Sequence, residues 1–216
     1  MLSTKYIPDS YDDLIVNENI ITILQSNLNV ILYGPSGSGK TTMIKTLLKH
    51  KGNDKYLVIN VADNRGINLI RDNIIDFINI DTISIAHENV QKVVILDEMD
   101  SLTYDAQNIL NSIMESCCNK SIRFIFVCNY FNNISQSIVS KCCCLRINCT
   151  DNSKLINRIK YICNNENINI DINIIEFIIK HFNNDIRKII NLLDIIKMIH
   201  EDDVITIDDI KCLINV

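Results

Sequence analysis

A chain of 216 residues that is 47% hydrophobic and 22% charged can bury one substantial core and a smaller second one, which excludes an intrinsically disordered segment. Its net charge of −5 and pI near 5.3 exclude a protein that coats nucleic acid by bulk electrostatics, so any such contact has to be local. No run approaches the ~18 apolar residues of a membrane span, and the opening MLSTKYIPDSYDD lacks a charged-then-apolar leader, so an intracellular location and no membrane partner are expected.

In chain order, short apolar runs alternate with helical patterns: NVILY (29–33), YLVIN (56–60), KVVIL (92–96), RFIFV (123–127) and CCLRI (143–147). That rhythm predicts a five-stranded parallel sheet with crossover helices. After Asn148 the runs SKLINRIKYICN, DINIIEFIIKHF and DIRKIINLLDIIKMI space their apolar residues by three and four, and Thr206 stands as a capping residue before a further helix. The expected division is an α/β domain over residues 1–148 and a small helical domain over 149–216.

Between the first predicted strand and a helix beginning TTMIKTLLKH lies GPSGSGKT (34–41), which satisfies the phosphate-binding G-x-x-x-x-G-K-[ST] pattern in the context that pattern requires. Gly34, Gly37 and Gly39 let successive N–H groups turn toward phosphate oxygens, Lys40 reaches the β- and γ-phosphates, and the Thr41 hydroxyl suits Mg2+. The candidate nucleotide-binding set is Gly34, Pro35, Ser36, Gly37, Ser38, Gly39, Lys40, Thr41 and Thr42. Downstream, KVVILDEMD ends a buried strand in two carboxylates: Asp97 is a candidate for the metal, and Glu98 for orienting and deprotonating the attacking water. Together the two motifs point to an ATPase that uses Mg2+.

Nine cysteines is an odd number, and Cys117-Cys118 and Cys142-Cys143-Cys144 lack the C-x2-C spacing of zinc sites, so reduced thiols and no structural zinc are expected. Lys141 directly before three cysteines leaves metal, redox and plain strand chemistry open from composition alone.

Nearly the whole chain resembles the small subunits of the replication factor C sliding-clamp loader, within the AAA+ ATPases. The likeness runs through KYIPDSYDDLIVNE, INVADNRGI, LDEMDSLTYDAQNIL, RFIFVCN, SIVSKC and NNDIRKIINLL. It implies an α/β module with a helical lid, and an ATP-driven subunit that helps to load a ring-shaped clamp at primer–template DNA together with other clamp-loader subunits. It also implies roles by position. Asn129 resembles the sensor that reads the γ-phosphate, Asn60 the polar switch that restrains the catalytic glutamate until DNA arrives, and Arg187 the lid arginine. Lys141 stands where the family's SRC motif carries an arginine that acts in the neighbouring subunit's ATP site, which would make Cys143 and Cys144 strand side chains.

Three departures accompany the likeness. Lysine at 141 lacks the planar fork of arginine. Asn111-Ser112 replaces an Arg-Arg pair, leaving Arg71 as a candidate contact for the DNA backbone. The sequence as given ends at Val216, where the family's C-terminal collar domain would begin. Two alternatives follow: a nucleotide-binding subunit that barely hydrolyses ATP, or a DNA-remodelling ATPase of another AAA+ branch.

Overall fold

The computed structural model describes all residues except 9, 12, 16–17, 51–54, 64–66, 80–90, 118–120, 149–151, 200–204 and 215–216, and the side chains of 18, 50, 67–69 and 208. Cys118, Cys149 and residues 64–66 of the INVADNRGI stretch thus lie outside the described residues. In chain order the helices are α1 (Leu2–Lys5), α2 (Glu18–Gln25), α3 (Lys40–His50), α4 (Ile67–Asn79), α5 (Tyr104–Ser116), α6 (Gln136–Val139), α7 (Asn152–Asn165), α8 (Ile172–His181), α9 (Ile186–Ile199) and α10 (Ile207–Ile214). The strands are β1 (Val30–Tyr33), β2 (Lys55–Asn60), β3 (Lys92–Asp97), β4 (Ile122–Cys128) and β5 (Cys143–Arg146). The chain forms two compact units.

The α/β unit comprises Asn17–Pro35 and Lys40–Ile147. Among the described residues its strands make one wholly parallel sheet in the order β2-β3-β4-β1-β5. Strands that are covered on both faces cannot alternate polar with apolar residues, which is why β3 and β4 read as unbroken hydrophobic runs. Val93–Leu96 and Phe124–Cys128 are all buried, and Ile31, Ile74, Leu110, Phe124 and Phe126 share one core. Cys143 and Cys144 are β5 residues paired with Val30 and Ile31, and Cys142 lies in the bend just before the strand.

A charged residue is also enclosed in this unit. Arg123, in β4, is fully buried, and its guanidinium donates to the carbonyls of Leu28 and Leu24 at 2.6 and 2.7 Å. Those oxygens belong to the carbonyl end of α2 and the turn after it, where helices leave acceptors unsatisfied and favour a cation.

A parallel sheet sends the carboxyl ends of all its strands to one edge. From one side to the other, that edge presents Asn60, Asp97, the residues after Cys128 and those after Tyr33. Neighbouring strands are ~4.8 Å apart, so the loop after β1 and the acid pair after β3 are separated by roughly 10 Å, with the end of β4 between them. Open α/β sheets bind their ligands at this edge.

The helical unit comprises Met1–Val16, Ser36–Gly39 and Asn148–Val216. The first sixteen residues thus group with the C-terminal helices, in contrast to the simple division expected after residue 148. Leu2 is buried in the core of α7, α8 and α9, beside Leu155, Ile178 and Leu193, and its N–H donates to both carboxylate oxygens of Asp194 at 2.9 Å. Glu166 completes the attachment: its buried carboxylate accepts from Lys5 at 2.6 Å, Tyr6 Oη at 2.5 Å and Lys197 at 2.5 Å. These donors hold Glu166 well below the usual carboxylate range, at about 2, with Lys197 the largest influence. Burial, and then the Glu166 carboxylate, push the Tyr6 phenol up to about 12. At α10, Thr206 Oγ1 accepts from Asp209 N while Asp209 Oδ2 accepts from Thr206 N and Oγ1, a reciprocal capping box.

Candidate active site

The loop after β1 is shaped by what cannot fit into it. A Cβ on Gly34 would stand 2.1 Å from the Ile147 carbonyl oxygen, far inside van der Waals contact, so the chain can turn there only on glycine. Gly37 has φ +71°, and a Cβ on it would meet Asp185 Oδ1 at 1.9 Å. Within the helical unit, Ile186 N also donates to the Gly37 carbonyl at 3.2 Å, and Asp185 Oδ1 accepts from Lys188 N at 3.1 Å, so the residue that abuts the loop also caps α9. Arg187, the next residue of α9, is exposed.

Lys40 opens α3 and is only 6% exposed. Its ammonium donates to the carbonyls of Gly34 and Pro35 at 2.8 and 2.7 Å. A buried cation held in the mouth of its own loop is a prepared anion site. One residue on, Thr41 Oγ1 donates to Asp97 Oδ2 at 2.8 Å. This brings the hydroxyl from the first motif onto the carboxylate of the second, and hard oxygen donors so paired suit Mg2+.

Asp97 also fixes the residue that follows it. Its Oδ1 accepts from Glu98 N at 2.9 Å, and the Glu98 carbonyl accepts from Ser101 N at 3.0 Å and Ser101 Oγ at 2.6 Å. Glu98 is held at φ 57°, ψ 40°, a left-handed conformation costly for a side chain with a Cβ, and its carboxylate is exposed. Asn129 follows β4, and its N–H and that of Tyr130 donate to the two oxygens of Asp100 at 3.3 and 3.0 Å. Asp100 therefore ties the turn carrying Glu98 to the end of β4, a link that sequence reading missed although the residue is visible in LDEMD. Asn60 pairs with Asp97 across β2 and β3. Its amide accepts from Ala62 N at 3.1 Å and donates to Asp63 at 2.9 Å, closing the turn after β2.

Lys141 is elsewhere. It precedes β5, whose last residue, Arg146, pairs with Tyr33 just before the phosphate loop. The four strand residues Cys143–Arg146, roughly 13 Å of extended chain, separate the turn that carries Lys141 from the carboxyl edge, so it lies toward the amino edge of the sheet. Its ammonium donates to Asn111 Oδ1 at 2.5 Å and Glu115 Oε1 at 2.6 Å, both on α5. The hydrogen bond from Lys141 lowers the Glu115 pKa. Among the cysteines that follow it, burial pushes the Cys142 thiol up to about 12 and raises Cys144 as well, and at the far end of β4 burial likewise pushes Cys128 up to about 12. Among the described residues no group of three or more His, Cys, Asp or Glu could hold a metal, and none of their helices is long and apolar enough to cross a membrane. Arg71 is exposed on α4 and lines a groove of about 460 Å3 between α4 and α5, with Ile75, Ser112 and Ser116.

Residues 30–150 match the family described as "ATPase family associated with various cellular activities (AAA)". Over 207 residues the chain is 31% identical to replication factor C subunit 2 of Saccharomyces cerevisiae, covering 88% of this chain and 58% of that protein. Over 201 residues it is 35% identical to replication factor C small subunit 2 of Pyrobaculum islandicum, covering 88% and 62%. It thus spans about 60% of the length of these relatives. Among solved structures, the Holliday junction branch migration motor RuvB of Thermotoga maritima superposes with TM-score 0.70 at 19% identity, covering 96% of this chain and 72% of that one. The Aeropyrum pernix Orc1 protein, solved in complex with DNA, superposes with TM-score 0.69 at 15% identity, covering 91% and 62%. At those identities the superpositions show the fold, a five-stranded parallel sheet with flanking helices and a phosphate loop. With more than half of its length matched, the chain belongs to the AAA family of nucleotide-binding ATPases, and its sequence is similar to the small subunits of replication factor C.

Proposed function

We propose that the chain is an ATP-hydrolysing subunit of a clamp loader, one that helps to place a sliding clamp on primer–template DNA within a hetero-oligomer. One observation carries this reading. The phosphate cradle, the Thr41–Asp97 pair and Glu98 belong to a single chain at one sheet edge, whereas Lys141 lies toward the other. Such a chain binds nucleotide by itself and offers a cation only to a neighbour.

Lys40 holds the β- and γ-phosphates, exchanging its two carbonyl partners for phosphate oxygens. Thr41 and Asp97 would hold Mg2+, which supplies charge neutralisation between the β- and γ-phosphates. Glu98 orients the attacking water and accepts its proton, since its carboxylate is exposed at the strand end and its backbone is fixed by Asp97 and Ser101. Asn129 helps to place that water, with its backbone set by Asp100. Arg187 is the lid cation, and Asn60 is the polar group that restrains Glu98 until DNA is present. In this reading ATP binding orders the assembly for clamp and DNA, and hydrolysis releases them.

The short bonds that hold Lys141 on its own α5 favour one second reading, a nucleotide-binding subunit that contributes little to its neighbour's hydrolysis. The Lys141→Ala variant separates the two, slowing turnover of the assembled complex on the first reading and leaving it unchanged on the second; the Glu98→Gln variant tests the base itself. It should bind Mg-ATP with wild-type affinity in calorimetry while turnover in the assembled complex falls ~10^2–10^4-fold. Wild-type turnover in that variant would remove Glu98 from the mechanism.

A further inference from the structure

α5 carries a polar stripe, Gln107, Asn111 and Glu115, spaced by four residues and therefore on one helix face. Each member engages the segment that leads into β5. Gln107 is buried; its Oε1 accepts from Ser135 N at 2.7 Å and its Nε2 donates to the Asn133 carbonyl at 2.9 Å. Asn111 and Glu115 then take the Lys141 ammonium at 2.5 and 2.6 Å. The segment is thus fastened to α5 at its start and at its end, and the position of the Lys141 charge is set by α5. Asn111 makes this possible, because a cation there would repel the ammonium that its amide oxygen now accepts.

We propose that Asn111 and Glu115 are positioning residues for Lys141: they hold its ammonium in cis, so that an anion in a neighbouring subunit's site gains that charge only by displacing it from α5. This rests on the reading of Lys141 as a residue that acts in trans. Lys141 and Asn111 then form one device, a cation whose delivery is set by its own subunit. Glu115 is 59% exposed and the Lys141 side chain 28% exposed. Exposed pairs contribute little, so the hold should be of a size that a phosphate can overcome.

The test has two arms. In the first, the full chain is lightly acetylated with an amine-reactive ester, and modification of Lys141 is quantified by peptide mass spectrometry against the chain's other lysines. Lys141 should react about twofold to fivefold faster in Glu115→Gln and in Asn111→Ala than in wild type, with the other lysines unchanged and Glu115→Asp restoring part of the protection. Equal Lys141 rates in wild type and Glu115→Gln would overturn the proposal. In the second arm, the chain is reassembled with the subunits that co-purify with it, and ATP turnover is measured. Glu115→Gln should raise turnover by a similar factor, and adding Lys141→Ala should erase the gain. If Lys141→Ala alone leaves turnover unchanged, the trans reading fails whatever the acetylation shows. If Lys141→Ala slows turnover but Glu115→Gln does not raise it, the trans reading stands and the cis hold is refuted.

Discussion

Glu98 trades backbone comfort for position. A residue with a Cβ at φ 57° costs about 1–2 kcal/mol relative to the right-handed region, a cost that glycine avoids while losing more chain entropy on folding. Glu98→Gly should therefore raise the stability of the chain by about 0.5–1 kcal/mol in chemical denaturation while abolishing ATP hydrolysis in the assembly. A fall in stability would mean that the Glu98 side chain, rather than the turn around it, holds this conformation. The motif DEMD locates the acid pair in the sequence, but not this strain, which arises because Asp97 and Ser101 bind the turn from both sides. Asp100 was similarly hidden: the letters show a carboxylate, and only the closeness of β3 to β4 shows which N–H groups it serves.

At the scale of elements, the central strands β3 and β4 were legible because a parallel sheet buried on both faces leaves no alternative to continuous apolar residues. The helices after Asn148 were legible from their spacing, and Thr206 from its capping chemistry. Attachments that depend on distant partners were not. Arg123 opens a predicted strand with nothing in the letters to show its partners, yet it is fully buried because α2, about 100 residues earlier, turns its carbonyls toward it. The N-terminal segment reads as part of the domain that follows it, yet Leu2, Lys5 and Tyr6 fasten α1 to α7 and α9 through Asp194 and Glu166. That last attachment makes a pH prediction. Glu166 is depressed to about 2 in the folded chain, so its contribution is complete above the ordinary carboxylate value near 4.5 and is lost as the pH falls from there toward 2. The thermal midpoint of the wild type should fall more steeply over that window than that of Glu166→Gln, and parallel slopes would refute the hub.

For the molecule as a whole, a net charge of −5 and neutral residues at 111 and 112 leave few cations on the α4 and α5 surfaces beyond Arg71. The isolated chain should accordingly bind duplex DNA weakly and with a shallow dependence on salt. Nanomolar affinity at physiological salt, measured by fluorescence anisotropy, would contradict this. The opposed placement of the phosphate cradle and Lys141 also restricts symmetry. A lysine near the amino edge of one sheet can serve only a site at the carboxyl edge of another, so unlike surfaces must meet. A twofold dimer pairs a surface with itself and cannot satisfy both halves at one contact. Copies or relatives of this chain that use Lys141 must therefore join head to tail. In any such row that does not close into a ring, one terminal subunit keeps a cradle that receives no cation, and the other keeps a lysine that serves no site.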